Sequence, residues 1–219
     1  MRRLGREYGQ ARAPRQWDPL SELIYTVLSQ NTSDRNSTRA CENLQTAYPT
    51  WEAVLAADPE DLAKTIWVGG LARIKAPRIQ AILRAIVDKR GSLDLAFLRE
   101  MPVPEAKAWL RQLPGVGPKT AGCVLLFSLG KPAMVVDTHV YRVAKRLGLL
   151  PARCSPDQAH DVLEALVLPE WYLPFHIYLI THGRRVCKAQ RPRCAACVLE
   201  DGCPGSTLRQ APTQKRGGQ

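Results

Sequence analysis

Two charged side chains and four thiols stand in this sequence where chemistry can use them. Lys119 follows a glycine-rich bend, Leu113-Pro114-Gly115-Val116-Gly117, within LPGVGPKTAGCVLLFSLG. From Ala121 onward the stretch reads as a buried helix, so Lys119 falls in the first turn of an apolar element. An ammonium is costly there. The helix N-terminus carries partial positive charge, and apolar neighbours such as Val124 and Leu125 exclude water. Both effects disfavour the charged form, and a neutral amine is a nucleophile able to form a Schiff base. A lysine that snorkels out to a phosphate accounts for this stretch equally well. Eighteen residues on, Asp137 opens the helical pattern of THVYRVAKRLGLL as its N-cap. Capping N–H groups favour the ionised carboxylate, which can stabilise a cationic sugar or relay a proton.

The bend is itself a candidate anion site, because glycines expose backbone N–H groups at a helix start. GVGPKT is not a nucleotide-binding P-loop. That motif needs four residues between its first glycine and the G-K pair, and a preceding strand.

Four of the seven cysteines, Cys187, Cys194, Cys197 and Cys203, form the pattern C-x6-C-x2-C-x5-C within seventeen residues. Such clustering favours a metal site over disulfides. One C-x2-C is too few for the usual zinc knuckles, and all-cysteine ligation also serves [4Fe–4S] clusters, so spacing leaves the two open. Cys41, Cys123 and Cys154 read as buried thiols.

The elements that must position these groups are helical. Asp18-Pro19 and Asp58-Pro59 are caps followed by proline at the first helical position. Leu20, Leu23, Ile24, Val27 and Leu28 trace one apolar face, and Ile79, Ile82, Leu83, Ile86 and Val87 another, stopped at Gly91. Ser155-Pro156-Asp157-Gln158 is a capping box. A further helix is expected after Pro174, covering His176 to Arg185. Val135-Val136 is too short to found a sheet, so the expected class is all-α. The segment after Gly205 is polar and expected to fray.

The chain has 219 residues and formal net charge +11, with basic residues crowded at Arg2, Arg3, Arg6, Arg12 and Arg15 and again from Arg184 to Arg193. That field fits a polyanion, most often nucleic acid. The sequence contains no apolar run of roughly 18 residues, and the basic N-terminus lacks the apolar core of a signal peptide. The expectation is a soluble, cytoplasmic protein, nucleoid-associated in a prokaryote.

LPGVGPKTA, VVDTHVYRV, HGRRVC and the final cysteines together resemble the helix-hairpin-helix DNA glycosylase superfamily, over about Asp18 to Cys203. The resemblance implies a bifunctional base excision repair enzyme acting on oxidised pyrimidines in double-stranded DNA. Lys119 would attack the anomeric carbon, and Asp137 would be its essential carboxylate. Cleavage on the 3′ side of the abasic site would follow by β-elimination. The four cysteines would hold a [4Fe–4S] cluster. Gln30 in LSQNTSD would fill the hole left by the extruded nucleotide, with Leu71 in WVGGLARIKA as an apolar wedge from the opposite side. Gly115, Val116, Gly117 and Thr120 of the hairpin, His139, and the basic loop residues Lys188, Arg191 and Arg193 would contact DNA.

It also implies a monomer of two helical lobes with the active cleft between them: 12–131, and 1–11 with 132–206, followed by a flexible tail at 207–219. Ala72, Arg73 and Gln112 depart from the family pattern at positions near lesion reading. The alternatives are a relative acting mainly on abasic sites or another lesion, a DNA-binding iron–sulfur protein without chemistry, and an iron–sulfur electron carrier. Retention of both Lys119 and Asp137 argues for an enzyme.

Overall fold

Helix-start signals dominate the sequence, and helices dominate the computed structural model, which describes residues 1–13 and 17–209. Eleven α-helices occur among the described residues: α1 (Arg2–Tyr8), α2 (Pro19–Leu28), α3 (Asp34–Ala47), α4 (Trp51–Ala56), α5 (Pro59–Thr65), α6 (Ala72–Arg90), α7 (Val103–Leu110), α8 (Pro118–Cys123), α9 (Thr138–Arg146), α10 (Gln158–Leu166) and α11 (Tyr172–Arg185). No strand occurs among them. Arg15 of the N-terminal basic cluster and residues 210–219 lie outside the described residues.

The chain divides into two compact units, one formed by Pro14–Ala133 and the other by Met1–Ala13 with Met134–Gln219. In the first, α2 is the central helix. Asp18 caps it, its carboxylate accepting the amides of Leu20 and Ser21 at 3.0 Å. The predicted apolar face is fully buried, and so are Glu22, Tyr25 and Thr26. A helix buried on nearly all sides must be surrounded, and α3, α6 and α8 pack on it. Asp58 caps α5 through the amides of Glu60 and Asp61, as the cap-proline signal predicts.

The bend between α7 and α8 anchors itself by Leu113 and Val116, both buried. Gly115 takes φ +73°, and a Cβ there would lie 2.9 Å from Arg78 Cδ and Nε. After α8 the helix widens to a π-turn over Val124–Ser128.

In the second unit α9 and α11 pack together, and α1 packs on α11. Gly183 permits the α9–α11 approach: a Cβ there would meet His139 Cβ at 3.0 Å. The capping box of α10 is formed, with Ser155 N donating to Gln158 Oε1 and Gln158 N to Ser155 Oγ. α11 starts at Tyr172, two residues before the expected proline, because Pro174 is tolerated in a first turn that needs no amide there. Fraying after Gly205 does not hold for residues 206–209. Ser206 is buried, its hydroxyl bonds Glu200 Oε1 at 3.0 Å, and Arg209 reaches the Asp201 carbonyl and Glu200.

A side chain at position 115 must occupy the left-handed region and displace Arg78. Gly115→Ala should therefore cost about 1–2 kcal/mol, read as a lowered midpoint in urea unfolding with unchanged slope.

Candidate active site and nucleic-acid interface

Lys119 is the second residue of α8 and is half-buried, followed by the buried run Thr120 to Phe127. The N-cap, Gly117, makes no side-chain cap. Ala121 N is the first amide to bond back into the helix, to Gly117 O at 3.0 Å. The hairpin residues divide by exposure. Gly115 is exposed and Gly117 half-exposed, but Val116 and Thr120 are buried, and Val116 N is used by Leu113 O. Any contact from Val116 must therefore be made by its remaining backbone atoms.

Asp137 is the N-cap of α9, accepting Val140 N at 2.7 Å. The extended segment before it is held by two buried histidines that the sequence did not single out. His160 Nδ1 lies 3.0 Å from Met134 O, and His176 Nδ1 2.9 Å from Val135 O. A carbonyl only accepts, so each Nδ1 carries the hydrogen. This is why Val135-Val136 needs no sheet partner. His139, two residues beyond Asp137, has Nδ1 3.0 Å from Arg142 Nη2.

The four clustered cysteines line one small cavity with Arg146, Pro192 and Ser206. Four thiols around one space could supply an all-sulfur ligand set. Burial pushes the Cys197 and Cys203 thiols up, whereas hydrogen bonds from Thr207 lower Cys194.

Arg142 and Arg146 of α9 tie this loop down. Arg142 Nε donates to Cys187 O at 3.1 Å, and burial lowers its pKa. Arg146 donates to Cys187 Sγ, Lys188 O and Ala189 O at 3.3, 2.7 and 2.9 Å. Lys188, Arg191 and Arg193 are left exposed, with Arg191 at φ +49°. Opposite, the Cys197 sulfur is 3.3 Å from Nε2 of buried His182, whose Nδ1 is 2.8 Å from Tyr8 Oη.

Both expected hole-filling positions lie in the first unit. Leu71 is 48% exposed in left-handed conformation, φ +51°. Gln30 is half-buried, its Oε1 accepting Arg78 Nη1 at 3.1 Å. Its neighbour Asn31 is the exposed tip, at φ +52°. Asparagine is among the non-glycine residues that most readily turn left-handed. Of the departing pair, Ala72 is buried and Arg73 exposed; Gln112 accepts from Lys89 Nζ at 3.0 Å. Cys41, Cys123 and Cys154 are buried, as expected.

A hairpin between helices, an amine behind it and a capped aspartate beyond define a base excision repair fold. Residues 24–169 match the model of the HhH-GPD superfamily base excision DNA repair proteins, and the chain belongs to that family. It is 40% identical over 186 residues to endonuclease III of Thermotoga maritima, spanning 85% of this chain and 83% of that protein. It superimposes on a non-covalent endonuclease III–DNA complex with TM-score 0.81 at 32% identity, covering 94% and 93% of the two chains. A trapped covalent endonuclease III–DNA intermediate gives TM-score 0.80 at 32% identity, with the same coverage. The chain is a DNA-binding repair enzyme, a DNA glycosylase and abasic-site lyase. No helix among the described residues is long and apolar enough to cross a membrane.

Asparagine caps a helix as well as aspartate does. Asp137→Asn should cost less than about 1 kcal/mol in thermal unfolding while lowering base excision at least ~100-fold. Near-wild-type excision by the folded variant would reduce Asp137 to a cap.

Proposed function

We propose that the enzyme removes oxidised pyrimidines from duplex DNA, with Lys119 Nζ as nucleophile and Asp137 as its carboxylate partner. The observation that carries this is the half-buried amine in the first turn of α8, behind an exposed glycine hairpin and ahead of a wholly apolar run. A lysine meant only for phosphate would gain nothing from that apolar support.

The target nucleotide must leave the stack to be reached. Gln30 and Asn31 at one tip and Leu71 at the other fill the space it vacates. The amine attacks C1′ as the bond to the base breaks, and the base departs with a proton. The Asp137 carboxylate offsets the positive charge that develops on the sugar. Transfer of a proton from Nζ to O4′ as the C1′–O4′ bond breaks opens the sugar ring and gives the Schiff base. Removal of a C2′ proton then expels the 3′ phosphate by β-elimination. The hairpin amides, His139 and the exposed cations Lys188, Arg191 and Arg193 hold phosphates without reading sequence.

Cys187, Cys194, Cys197 and Cys203 hold a [4Fe–4S] cluster in this reading. Its contribution is structural: bound to all four thiolates, it fixes both ends of the basic loop that Arg146 already grips from beneath.

Lys119→Gln should abolish borohydride trapping on an abasic duplex while leaving binding to that duplex within about threefold, about 0.7 kcal/mol. Trapping at the native rate would assign the nucleophile elsewhere. Anaerobically purified protein should be yellow-brown and contain iron; zinc without iron would overturn the cluster assignment.

A further inference from the structure

Lys75 is 1% exposed, as buried as the apolar core around it, and has no place in the chemistry above. Its Nζ donates to two backbone carbonyls, Leu28 O at 2.6 Å and Gly69 O at 2.8 Å. Leu28 is the last residue of α2, and its carbonyl is among those the helix cannot satisfy itself. Gly69 closes the short turn Trp67–Gly69. Three residues past Leu28 stands Asn31; two past Gly69 stands Leu71. A Cβ on Gly70 would lie 4.0 Å from Asn31 O, so the two tips run side by side.

Both tips are strained. Asn31 and Leu71 are two of only three non-glycine residues at positive φ among the described residues. For leucine that conformation is unusual, and such residues persist only where the surroundings over-determine them. A buried ammonium binding a carbonyl two or three residues before each tip supplies that determination. Burial holds its pKa at about 8. An apolar side chain of the same length would avoid that desolvation but leave two carbonyls unpaired. The same helix ties a third element: Arg78, one turn on, bonds Gln30 and lies over Gly115 of the hairpin.

We propose that Lys75 is a positioning residue for lesion extraction: its buried amino group clamps Leu28 O and Gly69 O together and so fixes Asn31 and Leu71 at one separation, ready to enter the duplex. This rests on the reading that these tips fill the vacated space. The clamp acts on pulling a base from the stack, not on the amine chemistry that follows. It should matter for a damaged base and much less for an abasic site, where no base has to be drawn out.

The test compares Lys75→Met with wild type on one duplex carrying 5,6-dihydrouracil and one carrying a preformed abasic site. Rates are single-turnover, scaled to the fraction of enzyme that borohydride traps on the abasic duplex. Excision of the lesion should fall roughly 10- to 100-fold, and abasic-strand cleavage less than about threefold. 2-Aminopurine opposite the lesion should lose its fluorescence rise on binding. In a Leu71→Ala background, Lys75→Met should add less than about threefold, because the two act through one element. Equal losses on both duplexes, or fully multiplicative losses in the double variant, overturn the proposal. If Lys75→Met does not fold, Lys75→Gln, which keeps two donors on a shorter arm, should show the same lesion-selective loss at smaller size; equal loss on both duplexes again overturns it. Should wild type leave dihydrouracil untouched yet cut the abasic strand, the lesion class falls instead. The 2-aminopurine arm, run on the abasic duplex, then decides the clamp: a retained rise in Lys75→Met overturns it.

Discussion

Eleven α-helices among the described residues make many helix ends, and each end leaves backbone amides or carbonyls without a helical partner. How those groups are satisfied governs this molecule. Asp18, Ser33, Thr50, Asp58 and Asp137 accept at N-termini. Lys75 donates to a carbonyl at the end of α2, and Arg142 donates to the Gly183 carbonyl near the end of α11. The proposed functional groups are drawn from this same population. Asp137, the proposed carboxylate, caps a helix, and the hairpin before Lys119 leaves its helix start without a side-chain cap, where phosphate can take the place of one.

Local signals were legible where one residue type solves one local problem. Asp-Pro pairs, the Ser155–Gln158 box and the Asp137 cap need only neighbours in sequence, and each formed as read. The glycine bend and its lysine were legible for the same reason. Long-range satisfaction was not. Lys75 looks like any lysine on an amphipathic helix until Leu28, 47 residues away, is seen to need a donor. His160 and His176 likewise bond Met134 and Val135 from 26 and 41 residues off. The burial of Ser206 rests on a partner six residues away, the Glu200 carboxylate that accepts its hydroxyl.

α9 links the proposed carboxylate to the cysteine loop. Its N-cap is Asp137 and its first turn carries His139, and its later turns carry Arg142 and Arg146, which hold that loop by carbonyls and a sulfur. Whatever fixes that loop also fixes the axis of the helix that aims the carboxylate. The arginines suit the task because one planar guanidinium can reach several acceptors at once.

The division of the chain has a consequence for synthesis on the ribosome. The unit Pro14–Ala133 is continuous and interrupts the other, whose first helix belongs with segments made after the insertion. Tyr178 donates to Gly9 O across 169 residues, and Arg3 pairs with Asp201 across 198. Translation runs at about 5–20 residues per second, so α1 emerges roughly ten seconds or more before its partners exist. Its only buried side chain is Leu4, and its arginines keep it soluble during the wait. The inserted unit can close its core around α2 meanwhile, leaving the unit with the clustered cysteines to assemble once its later segments have been made.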